Sequence, residues 1–330
     1  LLQVARIRNY LIANDLQQLI ILKAMPLLCD NRITPAALAM VTVISFGLAG
    51  AGEVRGDDRA PPNAAHAAGV DSEHMFGFTV GSDIGSAGEI EIEAESDSGL
   101  GRRAGRYIAA MNALQLKATL TDQIRISPHI EFSHHAIAAV PGMADLARTT
   151  FAAGGVELKY RVLNRADAPF GLTLGLDASA GRLDAATGQP ARDYGLHLSA
   201  ALDRELIPDR LFGAINLLHA PSWLRDHATG AWTQASQSGI GAALVGRIGE
   251  GVYLGGEVRY LRAHESTGWS GFSGEAVFAG PSIFVMLTPR ATMTVAWNAQ
   301  IAGHAAGETG ALDLKNFERH QVRVRFGFGF

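Results

Sequence analysis

Stretch after stretch in which every second residue is apolar constrains this chain more than any other feature. Side chains on a β-strand point alternately to opposite faces, so this period of two is the signature of strands with unlike faces. Near residue 90, Ile90, Ile92 and Ala94 alternate with Glu89, Glu91, Glu93 and Glu95. Leu114, Leu116 and Leu120 alternate with Gln115, Lys117 and Thr119, and Ile124, Ile126, Ile130 and Phe132 with Arg125, His129 and Glu131. Val156, Leu158, Tyr160 and Val162 oppose Glu157, Lys159 and Arg161, while Leu172, Leu174 and Leu176 oppose Thr173, Asp177 and Ser179. Tyr194, Leu196, Leu198 and Leu202 stand against Asp193, His197, Ser199 and Asp203. Residues 210–219, 237–248 and 275–288 give less regular strands. Val252, Leu254, Val258 and Tyr260 oppose Glu257 and Arg259, and Met293, Val295 and Trp297 oppose Thr292, Thr294 and Asn298. The chain closes with Val322, Val324, Phe326, Phe328 and Phe330 against Gln321, Arg323, Arg325, Gly327 and Gly329.

Twelve strands are thus expected, most of them longer than the 5–6 residues common in soluble sheets and matched to the roughly 9–11 that cross a bilayer at a tilt. A soluble sandwich alternates too, but there the apolar faces meet in a dry core. Only 18% of residues are charged, which suits a chain whose apolar face meets lipid. The connectors alternate as well. Tight turns are expected at Thr121-Asp122, Gly249-Glu250 and Thr288-Pro289, and longer loops at 97–105, 135–148, 219–234, 263–274 and 303–317. The expected fold is an all-β, antiparallel transmembrane β-barrel of twelve strands with both ends on the short-turn side. An open sheet edge in lipid would leave backbone groups unpaired, so the sheet must close. The inward Arg323 and Arg325 of the last strand and Lys117 of the second would then flank the glutamate row of the first.

The first 74 residues read differently. Met25 precedes Asp30-Asn31-Arg32, an apolar run over 35–49 and the small-residue site Ala49-Gly50-Ala51, the order of a cleavable signal peptide over 25–51. Residues 1–24 carry no signal logic and read as translation upstream of the true start. The competing reading is an amphipathic helix followed by a single anchor, which Pro35 and Gly47 disfavour. The lone cysteine, Cys29, precedes the apolar run, so it suits neither a lipoprotein signal nor a disulfide. Residues 52–74 read as a flexible periplasmic leader, with the barrel covering 75–330.

The terminal run Val322-Arg-Val-Arg-Phe-Gly-Phe-Gly-Phe330 resembles the C-terminal signature of Gram-negative outer-membrane β-barrel proteins. The segments Phe76-Gly-Phe-Thr-Val-Gly-Ser-Asp83 and Gly88-Glu-Ile-Glu-Ile-Glu93 are similar to those of uncharacterised alphaproteobacterial outer-membrane proteins. The resemblance implies a Gram-negative outer-membrane location, contact with its lipid and recognition by the barrel assembly machinery through Phe326, Phe328 and Phe330. It favours a monomer over the sixteen-stranded trimeric porins. The chain departs from the twelve-stranded outer-membrane phospholipase, since no Asn-His pairing precedes a nucleophilic serine.

Candidate lumen-lining residues are Glu89, Glu91, Glu93, Glu95, Lys117, Arg125, Glu131, Glu157, Lys159, Arg161, Asp177, Glu257, Arg259, Arg323 and Arg325. They could select solutes by charge, or pair across a narrow barrel and block it. No catalytic residue is assigned: Ser133 has no evident base or oxyanion hole. His129, His134, His135 and Glu131 lack a third convergent metal ligand, with His134 expected to face outward and His135 to begin a loop. No cofactor, no metal and no nucleic-acid partner is expected, because no basic patch is interleaved with aromatics at a net charge of -4. Trp223, Trp232, Trp269, Trp297, Tyr107, Tyr160, Tyr194, Tyr253 and Tyr260 are expected at interfacial girdles or in loops. Three functions stay open: a passive or weakly selective channel for small solutes, a closed structural or surface-interaction barrel, and, last, an outer-membrane hydrolase.

Overall fold

A computed structural model describes residues 71–330. The readings of 1–24 and 25–51, and most of 52–74, lie outside the described residues. Among the described residues there are twelve strands and no helix: β1 (Ile90–Leu100), β2 (Arg106–Thr121), β3 (Ile124–Ala138), β4 (Leu146–Leu163), β5 (Gly171–Leu183), β6 (Pro190–Ile207), β7 (Leu211–Asp226), β8 (Trp232–Gly249), β9 (Val252–His264), β10 (Phe272–Thr288), β11 (Ala291–Ala305) and β12 (His320–Gly329). Each pairs antiparallel with its sequence neighbours, and β1 pairs with β12, so the ring closes without an edge.

The alternation sorts as expected across most of the wall. Ile90, Leu114, Leu116, Ile130, Val156, Leu158, Leu174, Leu254 and Val258 point outward and lie 43–50% exposed. Water would exclude so continuous an apolar surface, whereas hydrocarbon accepts it, so the outer wall is a lipid-facing belt. Tyr160, Tyr194, Tyr260, Trp232 and Trp297 also face outward.

Two expectations about the wall change. The long loops are shorter than the fading hydropathy suggested, since β7 runs to Asp226 and β8 begins at Trp232, so most of 219–234 is paired strand. Past the bilayer a strand needs no apolar outer face, and its alternation loses contrast while its ladder continues. Tyr107 and Tyr253 do not join a girdle. Both point inward and are 2% exposed. The inner face is therefore partly apolar, because something other than water fills it.

That filling is the segment before β1. The expected barrel start at residue 75 does not coincide with a strand: residues 71–89 fold into the lumen and the first strand starts at Ile90. Ser72, Glu73 and His74, placed in the flexible leader by composition, are buried. Met75 and Phe76 are fully buried in a cluster with Phe212, Val245, Tyr253 and Phe284. Burial of side chains of this size stabilises by about 1.5–3 kcal/mol each, which explains how a short segment without regular structure holds its place.

Candidate functional site

The internal segment, residues 71–89, is fastened by charge at its start and by backbone hydrogen bonds along its length. Arg125 on β3 donates from both terminal nitrogens to the Glu73 carboxylate at 2.5 Å. Lys159 on β4 donates to the same carboxylate at 2.7 Å, and Lys117 on β2 stands 3.5 Å away. Although burial penalises its charge, these cations hold the Glu73 carboxyl well below the usual carboxylate range. His74 sits among Asp71 (2.6 Å), Glu91 (3.0 Å) and Glu93 (2.9 Å). Burial disfavours the imidazolium and Lys117 repels it, but the carboxylates of Glu91 and Asp71 prevail and raise the His74 pKa well above its usual value.

Asp71, His74 and Glu91 bring their ligand atoms within 4.8 Å of one another, a spacing a metal ion could use. The Lys117 ammonium, 3.1 Å from His74 Nε2 and 3.4 Å from Glu91, already supplies the positive charge there. The cluster is an ion network of Asp71, His74, Glu91 and Lys117.

Further along, the N–H groups of Phe78 and Thr79 donate to the two oxygens of Glu257 on β9, at 2.9 and 2.8 Å. Asn216 on β7 accepts from the Val80 N–H at 2.7 Å and donates to the Val80 carbonyl at 2.8 Å, in the manner of a paired strand. Ser82 donates to Asp203 on β6, and its carbonyl accepts from Thr173 on β5 at 2.5 Å. Arg161 on β4 donates to Asp83 at 2.6 Å, and Thr119 on β2 to the Ile84 carbonyl at 2.7 Å. Thr294 on β11 donates to the His74 carbonyl. The partners sit toward the short-turn end of their strands, so the segment plugs that half of the lumen.

Beyond the plug, toward the long loops, lies a cavity of about 640 Å³. Its floor includes Glu73, Phe78 and Val80, and its upper wall includes Ala185, Ala186, Asn316, Phe317 and Glu318 from the loop ends. Glu93, Glu95, Glu131, Glu157, Lys159, Asp177, Arg259, Arg323 and Arg325 all contribute to this lining. Arg325 donates to Glu95 at 2.8 Å and Arg323 to Asp97 at 2.7 Å across the β1–β12 seam. Lys117 donates to Glu93 at 2.8 Å. The cation-flanked glutamate row thus forms, extended by Asp97.

Other candidates have different places. Glu89 belongs to the turn before β1, where it accepts from the Ser86 N–H at 3.0 Å. Glu91, Lys117 and Arg125 line a small void under the plug. Arg161 and Glu257 bind the plug as described. Glu157 lies 3.5 Å from Lys159 and 3.6 Å from Arg125. Phe326, Phe328 and Phe330 follow the outer face of β12, with the Phe328 and Phe330 rings 5.3 Å apart and Phe330 54% exposed. His135 does not begin a loop: it is an inward residue of β3, with Nε2 2.9 Å from the Ala185 carbonyl oxygen. Ser133 is buried, and its hydroxyl has no hydrogen-bond partner among the described residues.

Sequence reasoning missed Glu73, His74 and Phe78 as lumen residues, because they precede the alternating region. The available signal was the run Glu73-His74-Met75-Phe76, a charged pair beside two large apolar residues in a segment otherwise poor in them.

A closed twelve-stranded ring with an apolar exterior and a charged, plugged interior is the architecture of a Gram-negative outer-membrane β-barrel. The profile of a family of unknown function, DUF6662, matches residues 68–330, and the chain belongs to that family. No curated protein matches the sequence. The fold is similar to that of the COG4313 outer membrane channel from Pseudomonas putida F1, at 16% identity and a TM-score of 0.51, covering 76% of this chain and 98% of that one. Similarity to the β domain of the Bordetella autotransporter BrkA is weaker, at 13% identity and a TM-score of 0.46, covering 74% and 100%. For the NanC porin the values are 11% and 0.41, covering 72% and 98%.

Proposed function

We propose that this protein is a gated outer-membrane channel for small solutes, closed in the present conformation by its own segment 71–89. The observation that carries the reading is the division of the lumen. A polar cavity lies on the loop side, and a plug held by polar side chains and ion pairs lies on the other. A purely structural barrel could fill its interior with side chains of the wall alone. Here a separate piece of chain does so through contacts that rearrangement can break and remake. The channel character of the similar Pseudomonas protein agrees with this reading. Solutes enter from the loop side, wait above the plug, and cross when it shifts.

Planar-bilayer recording tests the reading. The full chain should be mostly closed with rare openings, whereas a variant lacking residues 71–89 should conduct steadily. Equal conductance of the two, or no steps from a correctly inserted deletion variant, would reject it in favour of the closed structural barrel. In the same reading the chain works as a monomer in outer-membrane lipid. The outward aromatics Phe326, Phe328 and Phe330 address it to the barrel assembly machinery, and deletion of Phe330 should lower the heat-modifiable, assembled fraction in cells.

A further inference from the structure

Most charges in the lumen are matched by a close partner, but two places in the cavity wall are not, and they oppose each other. The first is Arg259 on β9. Its guanidinium lies 4.0 Å from the Phe78 ring centroid and 5.5 Å from that of Phe278. One terminal nitrogen donates to Gln321 at 2.5 Å. Its Nε is buried without a hydrogen-bond partner, and among the described residues no carboxylate comes within ion-pair distance. The nearby Arg323 is saturated by Asp97. Planar, bidentate recognition of a carboxylate is what a guanidinium left in this state does best.

The second place is on β3 and β5. Glu131 and Asp177 share a single imidazole between them: His129 Nε2 lies 3.6 Å from Glu131, and Nδ1 3.5 Å from Asp177. Both separations are too long for hydrogen bonds. The His129 side chain is 7% exposed, and its Nδ1 is buried with no partner. Two carboxylates with at most one cation leave surplus negative charge facing the cavity. In a ring of twelve strands, β3 and β9 are six places apart and stand on opposite walls. Between them, Leu218, Leu261 and Phe317 give the same cavity an apolar portion.

We propose that this cavity binds a small solute carrying a carboxylate at one end and an ammonium group at the other, a short peptide. The carboxylate docks on Arg259, the ammonium between Glu131 and Asp177, and short side chains rest on the apolar portion. A volume of about 640 Å³ lies within the roughly 300–1,000 Å³ common for small-molecule sites. The inference deepens the channel reading by naming the solute class, and it rests on that reading only for the step of passage.

Titration calorimetry on the purified full chain in detergent tests it with trialanine, N-acetyl-trialanine and trialanine amide. Trialanine should bind, and blocking either end should weaken binding on the order of tenfold or more. The Arg259→Gln variant should bind trialanine and its amide equally, because only the carboxylate contact is lost. The double variant Glu131→Gln with Asp177→Asn should bind trialanine and its N-acetyl form equally. Heat-modifiable gel migration checks that each variant is folded, and the panel on the unaltered chain stands without them. Equal affinity for all three peptides, no binding of trialanine, or binding of maltose as tight as that of trialanine would overturn the proposal. These results are independent of conductance. A plugged barrel that never opens but still discriminates the peptides would reject the channel and keep the site.

Discussion

Glu73 is the residue on which the plug turns. It is buried among Arg125, Lys159 and Lys117, and replacing it leaves those cations without their shared anion. Breaking a buried ion pair from one side costs about 3–5 kcal/mol. Glu73→Gln should therefore raise the open fraction in bilayer recordings and expose the segment to protease while the barrel stays resistant. Gly77 gives a test that leaves the charges in place. A Cβ there would stand 2.5 Å from a Glu257 oxygen and 2.7 Å from the Ala296 Cβ, so Gly77→Val should unseat the plug in the same assays. pH acts through the same contacts. His74 has a folded pKa raised well above 6.5, so its contribution is complete below 6.5 and is lost as pH rises through the raised value. Glu73 is lowered well below 4.5, and Asp71 to about 2, so their contributions are present at neutral pH and disappear as pH falls through those lowered values. Single-channel recordings across pH should show the plug best seated at about pH 5–6, above the ordinary carboxylate values of 3.8 and 4.5 and below the ordinary imidazole value of 6.5, where all three contributions are complete, and opening toward both extremes.

Among the elements, β10 is the strand that alternation described least well, and its geometry explains why. Its inward row of Ala276, Phe278 and Phe284 packs against the plug and Phe317, so both faces of the strand are apolar, while the extra residues at its register shifts with β11 are Ile301 and, at the strand end, Leu287. A Cβ at Gly280 would collide with the Trp297 carbonyl of β11, so the two backbones approach there only because no side chain intervenes. Gly280→Val should disrupt the β10–β11 seam and lower the temperature at which the heat-modifiable band is lost. β5 shows the opposite case, a strand whose faces follow the alternation closely. Leu176, midway along it, faces lipid at 41% exposure. Leu176→Arg should destabilise the folded barrel by about 2–4 kcal/mol, as for a cation near the bilayer midplane, measurable by denaturant unfolding in lipid vesicles.

At the scale of the molecule, the barrel is insulated from lipid by its outer wall and from free flow by its own chain. All twelve strands meet the plug. Ten do so through the contacts already described or through Glu91, Glu93 and Phe284, β8 through Val245, and β12 through Arg325, which reaches the Glu73 carbonyl. Removal of the plug would therefore bare both an apolar cluster and several cations at once. The unplugged chain should remain a closed ring, since β1 and β12 pair through residues outside the segment, and should show its loss in conductance and not in mobility on a gel.

How much was legible in advance follows from which interactions are local. Strand number, the facing of most outward rows, ring closure and the cation-flanked glutamates of β1 were readable, because a period of two and unlike charges on neighbouring strands are properties of short stretches of chain. The plug was not, since the partners of Glu73 and Asn216 lie 52 and 136 residues away. Nor was the inward turn of Tyr107 and Tyr253, because an aromatic residue suits a lipid interface and a plugged interior equally well. Alternation specifies which side of a wall a residue faces. Only the assembled ring, by bringing strands six places apart across one lumen, decides what that side finds there.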